Sequence, residues 1–234
     1  MVPACAADPG GCHQEKLLRI GGGAAKVARM SSAVSDLPII ILAAGQSSRM
    51  RGTDKLLEIV DEIPLIRRQA ERARAATTGP VLVALPVAPH PRYAALAGLD
   101  VQPVPVPDAA EGMGASLRTA FAALPPDVRA AMLVLADLPD ITDDDIKTVI
   151  QSVDFNDNTQ IWRGATEDGK PGHPIVFASS LFPNIAALTG DTGGKDVVAA
   201  AGDHVELIPL PGQHARADLD TPEDWADWRA HRNS

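Results

Sequence analysis

Cysteine is nearly missing: Cys5 and Cys12 are the only two in 234 residues, and both precede the first apolar run. Disulfides therefore do not hold this fold together. Cys5 with Cys12-His13 offers three candidate metal ligands, a weak signal in a Gly/Pro-rich stretch. Aromatic residues make up only 3%, so the core has to be built from Ala, Val, Leu and Ile. No apolar run approaches the roughly 20 residues of a membrane span. Nor does the N-terminal stretch contain the continuous apolar segment of a signal peptide, which leaves the cytoplasm as the default location. Positive charge is scarce as well. A net charge of −9 without any basic stripe argues against nucleic acid or an anionic membrane as partner and favours small-molecule substrates. Two familiar phosphate-binding signatures, GxxxxGK[ST] and GxGxxG after a strand, do not occur.

Within those bounds the length suits one large α/β domain. Residues 1–36 show no hydrophobic period, with Gly10-Gly11 and Gly21-Gly22-Gly23 among scattered charges. We expect a poorly ordered tail there and a single domain over 37–234. Met30 lies where such a domain can begin, so residues 1–29 are expected to be dispensable.

Pro38 to Leu42 is an uninterrupted run rich in β-branched side chains, the pattern of a strand buried on both faces. Ala43, Ala44 and Gly45 follow, then Gln46, Ser47, Ser48, Arg49, Met50 and, farther on, Lys55. Small residues let the backbone approach a bulky ligand, Gly45 can take a positive φ, and successive N–H groups in such a turn make an anion cradle. Arg49 and Lys55 add cations to it. An ordinary strand-to-helix connection would share these features, so the case depends on the rest of the chain.

Val81–Leu85 and Ala131–Ala136 read as further buried strands, and Val101–Val106, broken by Pro103 and Pro105, as an edge strand. Helices are expected over Pro64–Ala76, around Tyr93–Leu96, over Gly112–Leu124, over Thr142–Val153 and from Pro222 through Trp228. Arg67, Arg68, Arg72 and Arg74 fall on the outside of the first of these and are read as a solvated face. Strand and helix alternate, which implies a mostly parallel sheet covered by helices on both sides. Ligands then sit beyond the carboxyl ends of the strands, which puts Gly45 and Asp137 on one rim. The second half departs from alternation. Short strands at Gln160–Arg163 and Ile175–Phe177 flank a stiff Lys170-Pro171-Gly172-His173-Pro174 loop, followed by small helices near Phe182 and Lys195 and a strand at Val205–Ile208.

Asp137 ends a buried strand, and Asp218 and Asp220 lie two residues apart before the last helix. Carboxylates beside a phosphate cradle suit a hard cation such as Mg²⁺, which takes one or two protein carboxylates and fills its octahedron with phosphate oxygens and water. Asp137 and Asp220 could equally serve as helix caps. Glu111-Gly112-Met113-Gly114-Ala115-Ser116 offers backbone approach to a flat base or ribose, with Ser116 at its edge; a plain glycine turn before a helix is the alternative. His173 could contact an anionic second substrate or merely a carbonyl. Phosphates, a divalent cation and a base slot without a nucleophile triad point to phosphoryl or nucleotidyl transfer.

LAAGQSSRM with Lys55 resembles the signature of the MobA-like nucleotidyltransferases, and EGMGASLR, LADLP, GKPGHPIVF, GDTGGKDVV and DLDTPEDW resemble their molybdenum cofactor cytidylyltransferase branch. The resemblance runs from Leu37 to Trp228. It implies a three-layer Rossmann-like domain with a small β/α insertion in its second half. It further implies transfer of CMP from CTP to the phosphate of molybdenum-bound molybdopterin, with pyrophosphate released. By the same resemblance Leu42, Ala43, Ala44, Gly45, Gln46, Ser47, Ser48 and Arg49 bind the nucleotide and Lys55 offsets charge at the α-phosphate. Gly114 and Ser116 flank the base or ribose. Asp137 and Asp220, with Asp218 beside them, hold Mg²⁺ (Mn²⁺ being the other candidate), and Arg49, Lys55 and Asp137 are catalytic. His173 and Asp191 face the acceptor. Ala44 favours CTP, since GTP users resemble LAGG there. Arg51 makes the Met50-to-Lys55 spacing one residue longer than the commonest pattern. The rival activities are a GTP-using guanylyltransferase and a cytidylyltransferase for another phosphorylated acceptor. A carrier delivering the cofactor to a molybdenum hydroxylase is the non-enzymatic rival. Such a hydroxylase is also the expected client of the enzyme, itself a monomer or weak oligomer.

Overall fold

A computed structural model describes residues 36–190 and 193–232. The dispensable-tail expectation, the two cysteines and Asp191 lie outside them. Ile39–Leu42 forms β1, and its apolar side chains are buried on both faces because it lies in the middle of a seven-stranded sheet. Its neighbours are β4 (Val81–Pro86) and β6 (Ala130–Leu135), both parallel to it, with Ile40 opposite Leu82 on one side and Leu133 on the other. The proline-interrupted β5 (Gln102–Val106) closes one edge, where missing N–H donors are tolerated.

Beyond β6 the sheet changes direction. β8 (Pro171–Ala178) runs antiparallel to β6 and to β7 (Ile161–Ala165), and β9 (Val205–Pro209) pairs parallel with β7 at the far edge. The small β2–β3 hairpin (Ile59–Val60 and Ile63–Pro64) stands outside this sheet.

Alternate side chains of each strand feed two cores. Ile39, Ile41, Val83 and Val134 pack with α1 (Leu65–Ala76), α4 (Asp143–Gln151) and α7 (Pro222–Arg232). Ile40, Leu82, Leu133 and Phe177 pack with α3 (Met113–Ala122), α5 (Phe182–Ala186) and α6 (Lys195–Ala201). The result is a three-layer α/β domain, and α2 (Pro91–Ala95) lies over the β4–β5 crossover. No helix among the described residues is long and apolar enough to cross a membrane.

Three local expectations change. Pro171 to Pro174, read as a stiff loop, is the first half of β8, held there by pairing of Pro171 with Ala165 and by the His173 N–H on the Ala215 carbonyl. Pro64 precedes α1 with an extended ψ of 142°, so it ends the hairpin and does not occupy the first helical turn. The α1 arginines are not simply solvated. Arg67 donates to the Ala95 and Ala97 carbonyls, Arg72 to those of Pro139 and Ile141, and Arg74 to those of Thr77 and Gly79. These side chains use their apolar stems and forked heads to tie surrounding loops to the helix.

Candidate active site

The carboxyl ends of β1 and β6 open into a cavity of about 520 Å³. One wall is the segment after β1. The Ala43 N–H is held by the Ala84 carbonyl at 2.9 Å, and Leu42 through Ser48, with Arg49, line the space. The left-handed turn expected at Gly45 falls instead at Ser47 (φ 51°), Arg51 (φ 53°) and Gly52 (φ 102°). Gly45 has nothing within 4 Å of where a Cβ would stand, so its face toward the cavity is bare backbone. Lys55 then starts a short 3₁₀ turn capped by Asp54, with its side chain directed at the carboxylates.

Lys55 Nζ lies 2.5 Å from Asp137 Oδ2 and 2.7 Å from Asp220 Oδ1, and Arg49 reaches Asp220 Oδ2 at 2.7 Å. Burial alone would lower the Lys55 pKa; the two carboxylates outweigh it and raise it, so the ammonium is firmly charged. Burial, and then the like charges of Asp137 and Asp220, push the Asp218 carboxyl up. The capping alternatives do not describe these groups. Thr221 and Asp224 cap α7 between them, leaving the Asp220 carboxylate to Lys55 and Arg49. Asp137 Oδ1 is buried and has no partner among the described residues.

That orphaned oxygen, on the carboxylate whose other oxygen already holds the Lys55 ammonium, fits a divalent ion. Among the described residues no group of three or more His, Cys, Asp or Glu is arranged to hold a metal. A cation here would therefore need oxygen ligands from a bound phosphate, the coordination Mg²⁺ favours.

The opposite wall comes from Ala109, Gly112, Met113 and Ser116 at the start of α3. Gly114, one residue away, does not line the cavity. Its N–H donates to the Gly190 carbonyl, and a Cβ would stand 2.7 Å from that oxygen, so the glycine permits close packing of the 188–190 segment. Glu111 and Arg118 form a two-pronged pair that also grips this segment through Gly190 N–H and the Leu188 carbonyl. His173 does not line the cavity either. It lies on β8, the strand beside β6, with its ring bonded to the Leu133 backbone and its buried Nδ1 without a partner among the described residues.

Two features escaped the sequence reading. Arg92 is 1% exposed and inserts beneath the β1 loop. It donates to both Asp54 oxygens at 2.8 and 2.7 Å, to the Ala43 carbonyl at 2.6 Å and to Ser47 Oγ at 3.2 Å. A lone arginine in a proline-rich turn carries no sequence signal of such a place.

The other feature is Gly172. The segment bearing Asp218 is stapled to β8 by His173 N–H to Ala215 O at 2.8 Å, and a Cβ on Gly172 would stand 2.1 Å from that same oxygen. The obstacle is backbone, so Gly172→Ala is expected to cost about 2 kcal/mol or more. It should also lower turnover by displacing Asp218 and Asp220. Thermal unfolding and rate measured on the same preparation check both, and an unchanged melting temperature contradicts the contact.

Residues 39–205 match the model of the MobA-like NTP transferase domain. The chain belongs to this family. Among solved structures, the MobA-like fold of this chain is similar to Rv0371c from Mycobacterium tuberculosis H37Rv. Identity is 29%, the match covers 86% of this chain and 100% of that one, and the TM-score is 0.71. The Rv0371c homolog from Mycobacterium sp. strain JC1 is 27% identical over 84% of this chain and 96% of its own, with a TM-score of 0.72. A Methanothermobacter nucleotidyl transferase shares 19% identity over 85% and 99%, TM-score 0.68, a likeness of fold. No curated protein sequence matches significantly.

Proposed function

We propose that this MobA-like protein is a molybdenum cofactor cytidylyltransferase, joining CMP from CTP to the terminal phosphate of molybdenum-bound molybdopterin and releasing pyrophosphate. The observation that carries the reading is the convergence of Lys55 with Asp137 and Asp220 at the mouth of a nucleotide-sized cavity lined by bare β1-loop backbone. The motif resemblance supplies the choice of acceptor, and Ala44, buried in the cavity wall, supports CTP over GTP.

The chain's own residues divide the work. Backbone N–H groups between Ala43 and Ser48, with Arg49, orient the triphosphate. Ser116 and the Gly112 backbone set the base or ribose in place. Lys55 turns its ammonium from the carboxylates to the negative charge that builds at the α-phosphate as the acceptor oxygen attacks and pyrophosphate leaves. Asp137 and Asp220, with Asp218 beside them, would hold Mg²⁺ or Mn²⁺. The ion neutralises phosphate charge and fixes its geometry. That Rv0371c has been crystallised as a manganese complex supports a divalent ion here.

Pyrophosphate release from CTP and from GTP, each with purified molybdenum cofactor and Mg²⁺, tests the assignment. We expect turnover with CTP at least tenfold above GTP and none without acceptor. A preference for GTP overturns the nucleotide assignment, and release with neither overturns the reaction.

A further inference from the structure

Away from the cavity, the start of β8 gathers positive charge that the nucleotide reading does not use. Arg163 Nε donates to the Gly172 carbonyl at 2.8 Å, and Arg216 Nη1 donates to the Pro171 carbonyl at 3.1 Å. The two guanidiniums thus sit on consecutive carbonyls, immediately before His173. Neither has a carboxylate partner among the described residues, in a chain whose net charge is −9. Arg163 is lowered by burial and then by the Arg216 charge, with no acidic group opposing. Burial first, and the Arg163 charge second, push His173 down to about 3, so its ring is neutral at working pH. Its Nδ1 is buried and has no partner among the described residues.

Two cations anchored on either side of one strand, each feeling the other's charge and lacking an acid, lower their free energy by taking up an anion. Each guanidinium has used one or two of its five donors, and the remaining fork matches an oxyanion. Position in the sheet says which ligand this would be. Strand order along the rim runs β1, β6, β8, β7, so the nucleotide loop and Asp137 come first, then His173, then Arg163. A molecule that entered beside Asp137 opposite the triphosphate would extend over these residues.

We infer that Arg163 and Arg216, beside the neutral His173 ring, form an anion site that grips the acceptor by an anionic group other than its attacking phosphate. The inference rests on the nucleotidyltransferase reading for the word acceptor, but not for the anion site itself.

Inorganic phosphate is the probe, read through the His173 ring signals in the NMR spectrum of the full chain with the main cavity filled by Mg·CTP. The wild-type ring signals should shift saturably with phosphate. Arg216→Gln, an exposed change that leaves the core untouched, and Arg163→Gln should each raise the half-saturation concentration at least tenfold, with Arg163→Lys recovering part of the loss. In turnover, the same variants should raise the acceptor KM at least tenfold while the CTP KM stays within twofold. His173 signals that ignore phosphate in the wild type, or respond identically in the variants, overturn the site. Normal phosphate binding with no CTP turnover would sink the cytidylyltransferase reading and leave the anion site standing.

Discussion

Replacing Lys55 with methionine is expected to lower kcat/KM for CTP by about 10³, close to 4 kcal/mol of transition-state stabilisation. Among the described residues the ammonium is the one cation that touches both Asp137 and Asp220. Without it, these two carboxylates and the Asp218 carboxyl face a triphosphate with Arg49 as the remaining cavity-lining cation, and Arg49 is largely exposed. Arginine at position 55 should recover little, because a flat fork does not replace a point charge between two carboxylates. The fold should survive, since the 3₁₀ turn that begins at Lys55 is capped by Asp54 and anchored in the core by Leu56. Asp137→Asn should match the loss for a different reason, removal of the charge beside the orphaned Oδ1. Steady-state pyrophosphate release, with circular dichroism as the control for folding, measures both. A Lys55→Met protein within tenfold of wild type would remove the lysine from the chemistry. The freed carboxylates give a second readout: Mn²⁺ without nucleotide should raise the melting temperature of Lys55→Met more than that of the wild type.

Much of this architecture is legible in the chain because the physics responsible is local. β1, β4 and β6 are continuous apolar runs, and only burial on both faces of a parallel sheet accommodates them. Thr142 and the three aspartates after it announce α4, and the capping box forms between Thr142 and Asp145. The rim residues were legible too, since each follows a buried strand or precedes a capped helix. What stayed hidden depends on contacts between distant segments. The β2–β3 hairpin has two-residue strands, too short for any period. The α1 arginines look solvated until the loops they hold are placed beside them. Asp220 could not be separated from a helix cap until Thr221 and Asp224 were seen to fill that role. Gly114 and Gly172 look alike in sequence as small residues near a ligand, yet both make room for another stretch of backbone.

Arg92 is the extreme case, and its removal should show in stability and nucleotide affinity together. Arg92→Leu keeps an apolar stem but takes the guanidinium away from both Asp54 oxygens, the Ala43 carbonyl and Ser47 Oγ, leaving the Asp54 carboxylate without its cation. Breaking a buried pair from one side typically costs about 3 kcal/mol or more, a melting-temperature drop of roughly 6–12 °C for a domain of this size. Because these partners belong to the β1 loop, the CTP KM should rise about tenfold or more, while kcat falls less than in Lys55→Met. A merely structural arginine would lower stability and leave KM alone. The pH dependence gives an independent check. Burial would raise Asp54, but the hydrogen bonds and charge of Arg92 outweigh it and hold the carboxyl below its ordinary 3.8. A depressed carboxylate contributes stability above its unfolded pKa and loses it as pH falls through the lower folded value. The stability gap between wild type and Arg92→Leu should therefore be constant from pH 5 to neutrality and shrink below about pH 4, where Asp54 protonates in the unfolded chain first. A gap that closes near neutral pH would show that the pair is not what holds the loop.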